Sequence, residues 1–154
     1  MVCDLKKIFT IGHSNRSIED FISLLMKHGI QILVDVRRFP TSKHEHFKRE
    51  NLEKYLEKYG IKYIYLGDKL GGYRSGGYKS FTQTEEFRRG IEHLEEIAKT
   101  GVTAIMCAER FPWRCHRKYI SITLEEKGWE IVHIIDKGRV WRPKRSRTAE
   151  SGQM

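Results

Sequence analysis

Short apolar runs alternate with amphipathic stretches along this chain of 154 residues. The first run covers residues 8–11 and stops at Gly12; Ser17 then stands where a helix cap belongs, with Asp20 three positions on as a carboxylate version of the capping box. Ile18, Phe21, Ile22 and Leu25 recur at helical spacing and give that helix one inward face, ended by His28-Gly29. Residues 31–37 (QILVDVR) are too continuously apolar for a half-solvated strand and read as a buried one, closed by Phe39-Pro40. Residues 51–59 are helical by Leu52, Tyr55, Leu56 and Tyr59, and 61–66 (IKYIYL) alternate as a third strand. Then come a glycine-rich loop at 67–77, a helix at 84–99, a strand at 102–107 (VTAIMC), a helix at 115–127 and a strand at 129–135 (WEIVHII).

Strand and helix alternating in this way specify right-handed βαβ crossovers. The expected fold is α/β, a single domain over residues 1–136 with a mostly parallel five-stranded sheet and helices on both faces. In such sheets sites form beyond the carboxyl ends of the strands. That rule selects His13 and Ser14 after the first strand; Asp35, Arg37 and Arg38 at the second; the loop with Gly71, Gly72 and Arg74 at the third; Cys107, Glu109 and Arg110 at the fourth; and Asp136 at the fifth.

Charge changes the picture at one end only. The net charge is +9, and residues 137–154 carry a net +5 of it through Lys137, Arg139, Arg142, Lys144, Arg145 and Arg147 against Glu150. This stretch is expected to be a flexible basic tail, a solubilising terminus or a Coulombic attractor for polyanions such as nucleic acid. No apolar run reaches the roughly 20 residues a membrane-spanning helix needs, and residues 1–7 lack the core of a secretory signal, so a cytoplasmic protein with no membrane partner is expected. Three cysteines in such a compartment are thiols first.

Cys107 ends a strand and Cys115 opens the next helix, among Arg110, Arg114 and Arg117. A helix N-terminus and nearby guanidiniums favour a thiolate, which makes Cys115 the nucleophile candidate and Cys107 its redox partner or a small buried hydrophobe. His13, His116 and Glu109 are the acid–base candidates, and Ser14, Asp35, Arg37, Arg38, Lys43, Gly71, Gly72 and Arg117 the anion and substrate candidates. Asp35 reads equally as a structural ion-pair partner, and His133, inside a buried strand, as a satisfied core histidine. Tyr73, Tyr78 and Trp113 can stack on a base or cover the loop. Cys107, Cys115 and His116 completed by His13 would suit zinc, but the spacing of the cysteines does not favour it, and no cofactor is expected. Neither glycine-rich nucleotide motif is present.

The set Thr10-Ile11-Gly12-His13-Ser14, Asp35-Val36-Arg37-Arg38-Phe39-Pro40, Leu70-Gly71-Gly72, Cys107-Ala108-Glu109 and Cys115-His116-Arg117 resembles the domain-of-unknown-function 488 family over about residues 8–136. The resemblance supports the fold and the site and implies no settled reaction. A weaker likeness runs to rhodanese domains through the Asp35-Val36-Arg37 strand end and Cys107. Here, however, a Pro112-containing loop and a second cysteine intervene before the helix, and Arg114 falls one position late for a phosphatase-type C-x-x-x-x-x-R. The residues therefore point to a thiol-dependent enzyme for a small anionic or nucleotide-like substrate. The alternative is a non-catalytic nucleic-acid-binding module using the Arg-rich loop and tail. The sequence does not specify the oligomeric state.

Overall fold

A computed structural model describes the chain over residues 6–72 and 74–143. In chain order its regular elements are β1 (Lys7–Gly12), α1 (Ile18–Lys27), β2 (Ile32–Asp35), α2 (Arg49–Lys58), β3 (Lys62–Tyr65), α3 (Gly67–Leu70), α4 (Tyr78–Phe81), α5 (Glu85–Ala98), β4 (Thr103–Cys107), α6 (Arg117–Glu126), β5 (Glu130–Asp136) and β6 (Arg139–Trp141). Short 3-10 turns at Glu45–Phe47 and Pro112–Arg114 precede α2 and α6. The fold is α/β. Among the described residues one sheet runs β3-β2-β4-β1-β5-β6, parallel except for β6, which pairs antiparallel with β5.

Side chains alternate across the buried strands, and the period of two builds a separate core on each face. Ile8, Val34, Ile105, Cys107 and Ile131 meet α5 and α6 through Phe87, Ile91, Leu94, Ile120 and Leu124. Phe9, Ile11, Leu33, Ala104, Met106 and Val132 meet α1 and α2 through Phe21, Leu25, Leu52 and Leu56. Helix caps follow the sequence signals. The Ser17 side chain accepts from the Asp20 N–H at 3.0 Å, and Gly29 takes φ 68° directly after the His28 cap.

The sixth strand differs from expectation. Arg139–Trp141 occupies the start of the segment expected to be tail, because the turn at Lys137-Gly138 folds the chain back along β5. Residues 144–154, which hold Lys144, Arg145 and Arg147, lie outside the described residues, as do Cys3 and Tyr73.

The strand order places a topological switch between β1 and β4. The chain leaves β1 toward β2 on one side and leaves β4 toward β5 on the other, with α1 and α6 on opposite faces. The two connections leave these neighbours on opposite faces of the sheet, so that the loops beyond their carboxyl ends part to either side. Gly12 and Cys107 are register partners there. A Cβ on Gly12 would lie 1.6 Å from the Glu109 carbonyl oxygen, so only glycine lets the chain after β4 cross so closely over β1. The crossing is fixed by the His13 and Ser14 N–H groups, which donate to the Cys107 and Ala108 carbonyls at 2.9 and 2.8 Å.

Candidate functional site

Beyond the ends of β2 and β4 lies a cavity of about 540 Å³ lined by Arg37, Arg38, Gly72, Glu109, Arg114 and the pair Cys107 and Cys115, with Tyr78 and His116 as its aromatic wall. Grooves of about 560 Å³ beside α5 and α6, and about 630 Å³ at the amino ends of the strands, present no cysteine. Chemistry rather than volume singles out the cavity with the thiols.

Cys115 does not open the helix. Pro112 starts a 3-10 turn that ends at Cys115, which is extended (φ −140°, ψ 154°), and His116 caps α6. This departure brings two neighbouring side chains together, which adjacent positions inside a helix do not permit. His116 Nδ1 lies 3.5 Å from Cys115 Sγ, while its Nε2 lies 3.0 Å from the Val36 carbonyl oxygen. A carbonyl only accepts, so Nε2 carries hydrogen, and Nδ1 is the nitrogen that exchanges a proton with the sulfur, accepting from the thiol and donating to the thiolate. The first helical amide, Arg117 N–H, donates to Cys115 Sγ at 3.4 Å. The sulfur thus sits at the positive end of α6 even though its residue precedes the helix.

Both cysteines are free, Cys107 buried and Cys115 half-buried. Burial, followed by the adjacent Cys115, pushes the Cys107 thiol well up. The opposite holds for Cys115. The Cys107 hydrogen bond is the largest cause pulling it down, against burial, with His116 and the Arg117 charge adding to the pull. The two thiols are driven apart in acidity, and the more accessible sulfur is the one more readily ionised.

Arg117 is fully buried and reaches back from α6 to hold the loop after β4. It donates to Thr10 Oγ1 at 2.9 Å and to the Glu109 and Arg110 carbonyls at 2.8 and 3.1 Å. Among the described residues it has no carboxylate within ion-pair distance, and its Nε is unpartnered. Thr10 Oγ1 lies 2.5 Å from Nδ1 of His133, its register partner on β5. His133 is brought down to about 3 by burial and then by the Arg117 charge. It stacks on Trp141, a core histidine with partners on both sides.

The other candidates separate into those facing the cavity and those holding it. Asp35 is fully buried, accepting from Arg37 Nε at 2.9 Å and Nη2 at 2.8 Å and from the Tyr63 hydroxyl. Burial works against the Arg37 charge, but Asp35 more than offsets it and the pKa rises. Arg37 also donates to the Phe47 carbonyl at 2.8 Å, so its fork is engaged although it lines the cavity. His13 turns inward. It stacks on Phe47, its Nδ1 donates to the Ser14 carbonyl, Nε2 faces Arg37 Nη1 at 3.5 Å, and burial lowers it to about 4. Ser14 is left-handed at φ 47° with its hydroxyl on Asn15, and Lys43 is exposed; neither lines this cavity.

Gly71 serves packing, since a Cβ there would lie 2.5 Å from Arg38 Cα, and it lets the loop close against the site; a Cβ at Gly72 would rest at ordinary contact distance, 3.4 Å from His116 Nδ1. Tyr78 completes that wall, its ring 5.1 Å from His116 and its hydroxyl on the Leu70 carbonyl, with burial raising its pKa.

Arg16 was not a sequence candidate. It is buried after β1, donates to the Gly12 and Ile135 carbonyls at 3.0 and 2.6 Å, and is lowered to about 10, by burial first. No local sequence signal marks it. The Thr10–His133 pair did leave a signal, a polar residue at corresponding places in two otherwise apolar strands. No group of three or more His, Cys, Asp or Glu that could hold a metal ion occurs among the described residues. No helix among them is long and apolar enough to cross a membrane.

Fold and site together define a mostly parallel α/β protein with two thiols in one cavity beyond the carboxyl ends of β2 and β4. The family model described as domain of unknown function DUF488 matches residues 17–124, and the chain belongs to that family. The match includes every cavity-lining residue named above, while Thr10-Ile11-Gly12-His13-Ser14 precedes it. No curated protein and no solved structure matches the chain.

Proposed function

We propose that the protein is a thiol-dependent enzyme acting on a small anionic or nucleotide-like substrate, with Cys115 as nucleophile. The observation that carries this reading is the convergence on Cys115 Sγ of His116 Nδ1 at 3.5 Å and the Arg117 N–H at 3.4 Å, in a cavity that Cys107 also lines. Nucleophile, base and a carbonyl orienting the base form the chain that activated cysteines use. His116 carries the proton between Cys115 and the leaving group, held by Val36. Arg38 and Arg114 line the cavity and meet substrate charge, and Arg37 and Arg117 hold its surrounding backbone. A volume of about 540 Å³ suits a small molecule.

Alkylation of the reduced protein by iodoacetamide, followed site by site against pH, tests the reading. Cys115 is expected to react with a midpoint well below the ~8.5 of a free thiol, and Cys107 to stay protected. In Cys115→Ser the reaction at this site disappears with the fold retained, and turnover of any anionic substrate is lost. An ordinary midpoint at Cys115 overturns the assignment.

A second reading, a nucleic-acid-binding module, is favoured by an aromatic ladder beside the site. Phe111 stacks on Trp113 at 5.1 Å, Trp113 meets Trp141 edge-on at 5.5 Å, and Trp141 stacks on His133 at 5.3 Å. Trp113 and Trp141 are exposed, and Arg110, Arg114 and Arg139 neighbour them in the chain. Exposed rings among cations suit the bases and phosphates of a single strand. Affinity for a short single-stranded oligonucleotide would then fall steeply with salt and drop roughly tenfold or more in Trp113→Ala, where stacking is worth about 1–3 kcal/mol. Salt-independent binding, or none, rejects this reading.

A further inference from the structure

We infer that Cys107 is the resolving thiol of Cys115, so that the two form a dithiol–disulfide couple at the cavity floor, oxidised by a hydroperoxide. The inference rests on Cys115 being the nucleophile proposed above and adds a chemistry to that site.

Three observations carry it. Cys107 is the last residue of β4 on the α6 side of the sheet, and Cys115 packs onto that same core cluster, so the strand end and the pre-helical residue converge from opposite ends of one loop. Both line one cavity, at its Ala108-Glu109 and Arg114-His116 walls, with the Cys107 thiol directed to the Glu109 carbonyl at 3.8 Å. Their access is unequal: Cys107 is 2% exposed and Cys115 half-buried, so an oxidant entering the cavity meets Cys115 first. Cys115 lies in extended chain between a 3-10 turn and α6 rather than inside the helix, so its side chain can turn toward the strand end without rearrangement of the sheet.

The steps balance. The Cys115 thiolate attacks one oxygen of the hydroperoxide, the O–O bond breaks, and Cys115 becomes a sulfenic acid while an alkoxide or hydroxide leaves and takes a proton from His116 or water. The sulfur loses two electrons and the peroxide gains them. Cys107, deprotonating as it attacks, then forms the S–S bond and expels the sulfenic oxygen as water, taking up its proton. An external dithiol restores both thiols by exchange. While oxidised, the site has no nucleophile, and the sulfenate is diverted from irreversible over-oxidation.

The test treats the reduced full-length chain with equimolar hydrogen peroxide, maps disulfides by peptide mass spectrometry, and repeats the treatment on Cys107→Ser and Cys115→Ser. Iodoacetamide reactivity of Cys115 is measured alongside. The expected result is a Cys107–Cys115 crosslink in the parent that dithiothreitol reverses. Cys107→Ser should give a sulfenic acid at Cys115 that dimedone traps, with further oxidation there at higher peroxide. Cys115→Ser should leave Cys107 unoxidised. A reactive Cys115 that forms no crosslink, or one that pairs with Cys3 instead, overturns the resolving role and leaves the nucleophile intact. A Cys115 inert to both reagents overturns both.

Discussion

Arg117→Met is expected to unfold at roughly 3 kcal/mol less cost than the parent, with a melting temperature lower by about 10 °C, and to move Cys115 alkylation to higher pH. The guanidinium ties α6 both to β1 through Thr10 and to the 109–110 backbone, and it does so fully buried. Methionine fills much of the stem volume but donates nothing, so the Thr10 hydroxyl and the Glu109 and Arg110 carbonyls each lose a partner. Each such orphan costs about 1–3 kcal/mol. Two effects oppose one another, because a buried cation without a carboxylate is itself expensive and its removal returns part of that cost. The loss wins, because Arg117 holds the Glu109 carbonyl where it crosses Gly12, next to the stretch pinned by the His13 and Ser14 amides, and there is no room for an alternative packing. The second readout separates tether from charge. Arg117 helps to hold the Cys115 proton off, so Arg117→Lys should preserve much of the low midpoint while losing much of the stability. An Arg117→Met protein as stable as the parent would show that the loop is held by something else.

The part of this site visible in the sequence was the part that depends on position along the chain. Cys107, Cys115, His116, Arg38 and Glu109 could be assigned to one end of the sheet because strand ends are readable from apolar runs, and a parallel sheet gathers those ends. What could not be read was the direction in which a side chain turns. Arg37 and Arg117 have the residue type of anion clamps, yet their donors are taken by Asp35, Phe47 and Thr10, contacts set by tertiary packing rather than by spacing. His13 looked like a catalytic imidazole and rotates onto Phe47, 34 positions away. The start of α6 moved by two residues because a Pro112 turn consumed the chain first, and that small shift creates the contact between Cys115 and His116. Strand β6 escaped because three residues in a basic stretch, with Val140 alone half-buried and apolar, carry too little alternation to register as a strand.

Acid should destabilise the fold well before the carboxylates titrate. His13 is lowered to about 4 and His133 to about 3, each chiefly by burial, so both are neutral in the folded protein where an unfolded histidine, near 6.5, takes up a proton. Between pH 6.5 and 4 the unfolded chain therefore binds up to about two more protons than the folded one, and stability rises with pH across that window. On acidification it falls, approaching about 2–3 kcal/mol per pH unit near pH 5, a loss of roughly 3 kcal/mol between pH 6.5 and 5. His28, also lowered by burial, acts in the same direction. Urea unfolding at half-unit steps from pH 7.5 to 5 gives the slope. His133→Gln keeps an acceptor for Thr10 and removes one titrating ring, so its slope should fall by about half whatever its absolute stability. A parent whose stability is flat from pH 7 to 5 would mean that both rings accept protons in place, and the neutral Thr10–His133–Arg117 arrangement would have to be abandoned.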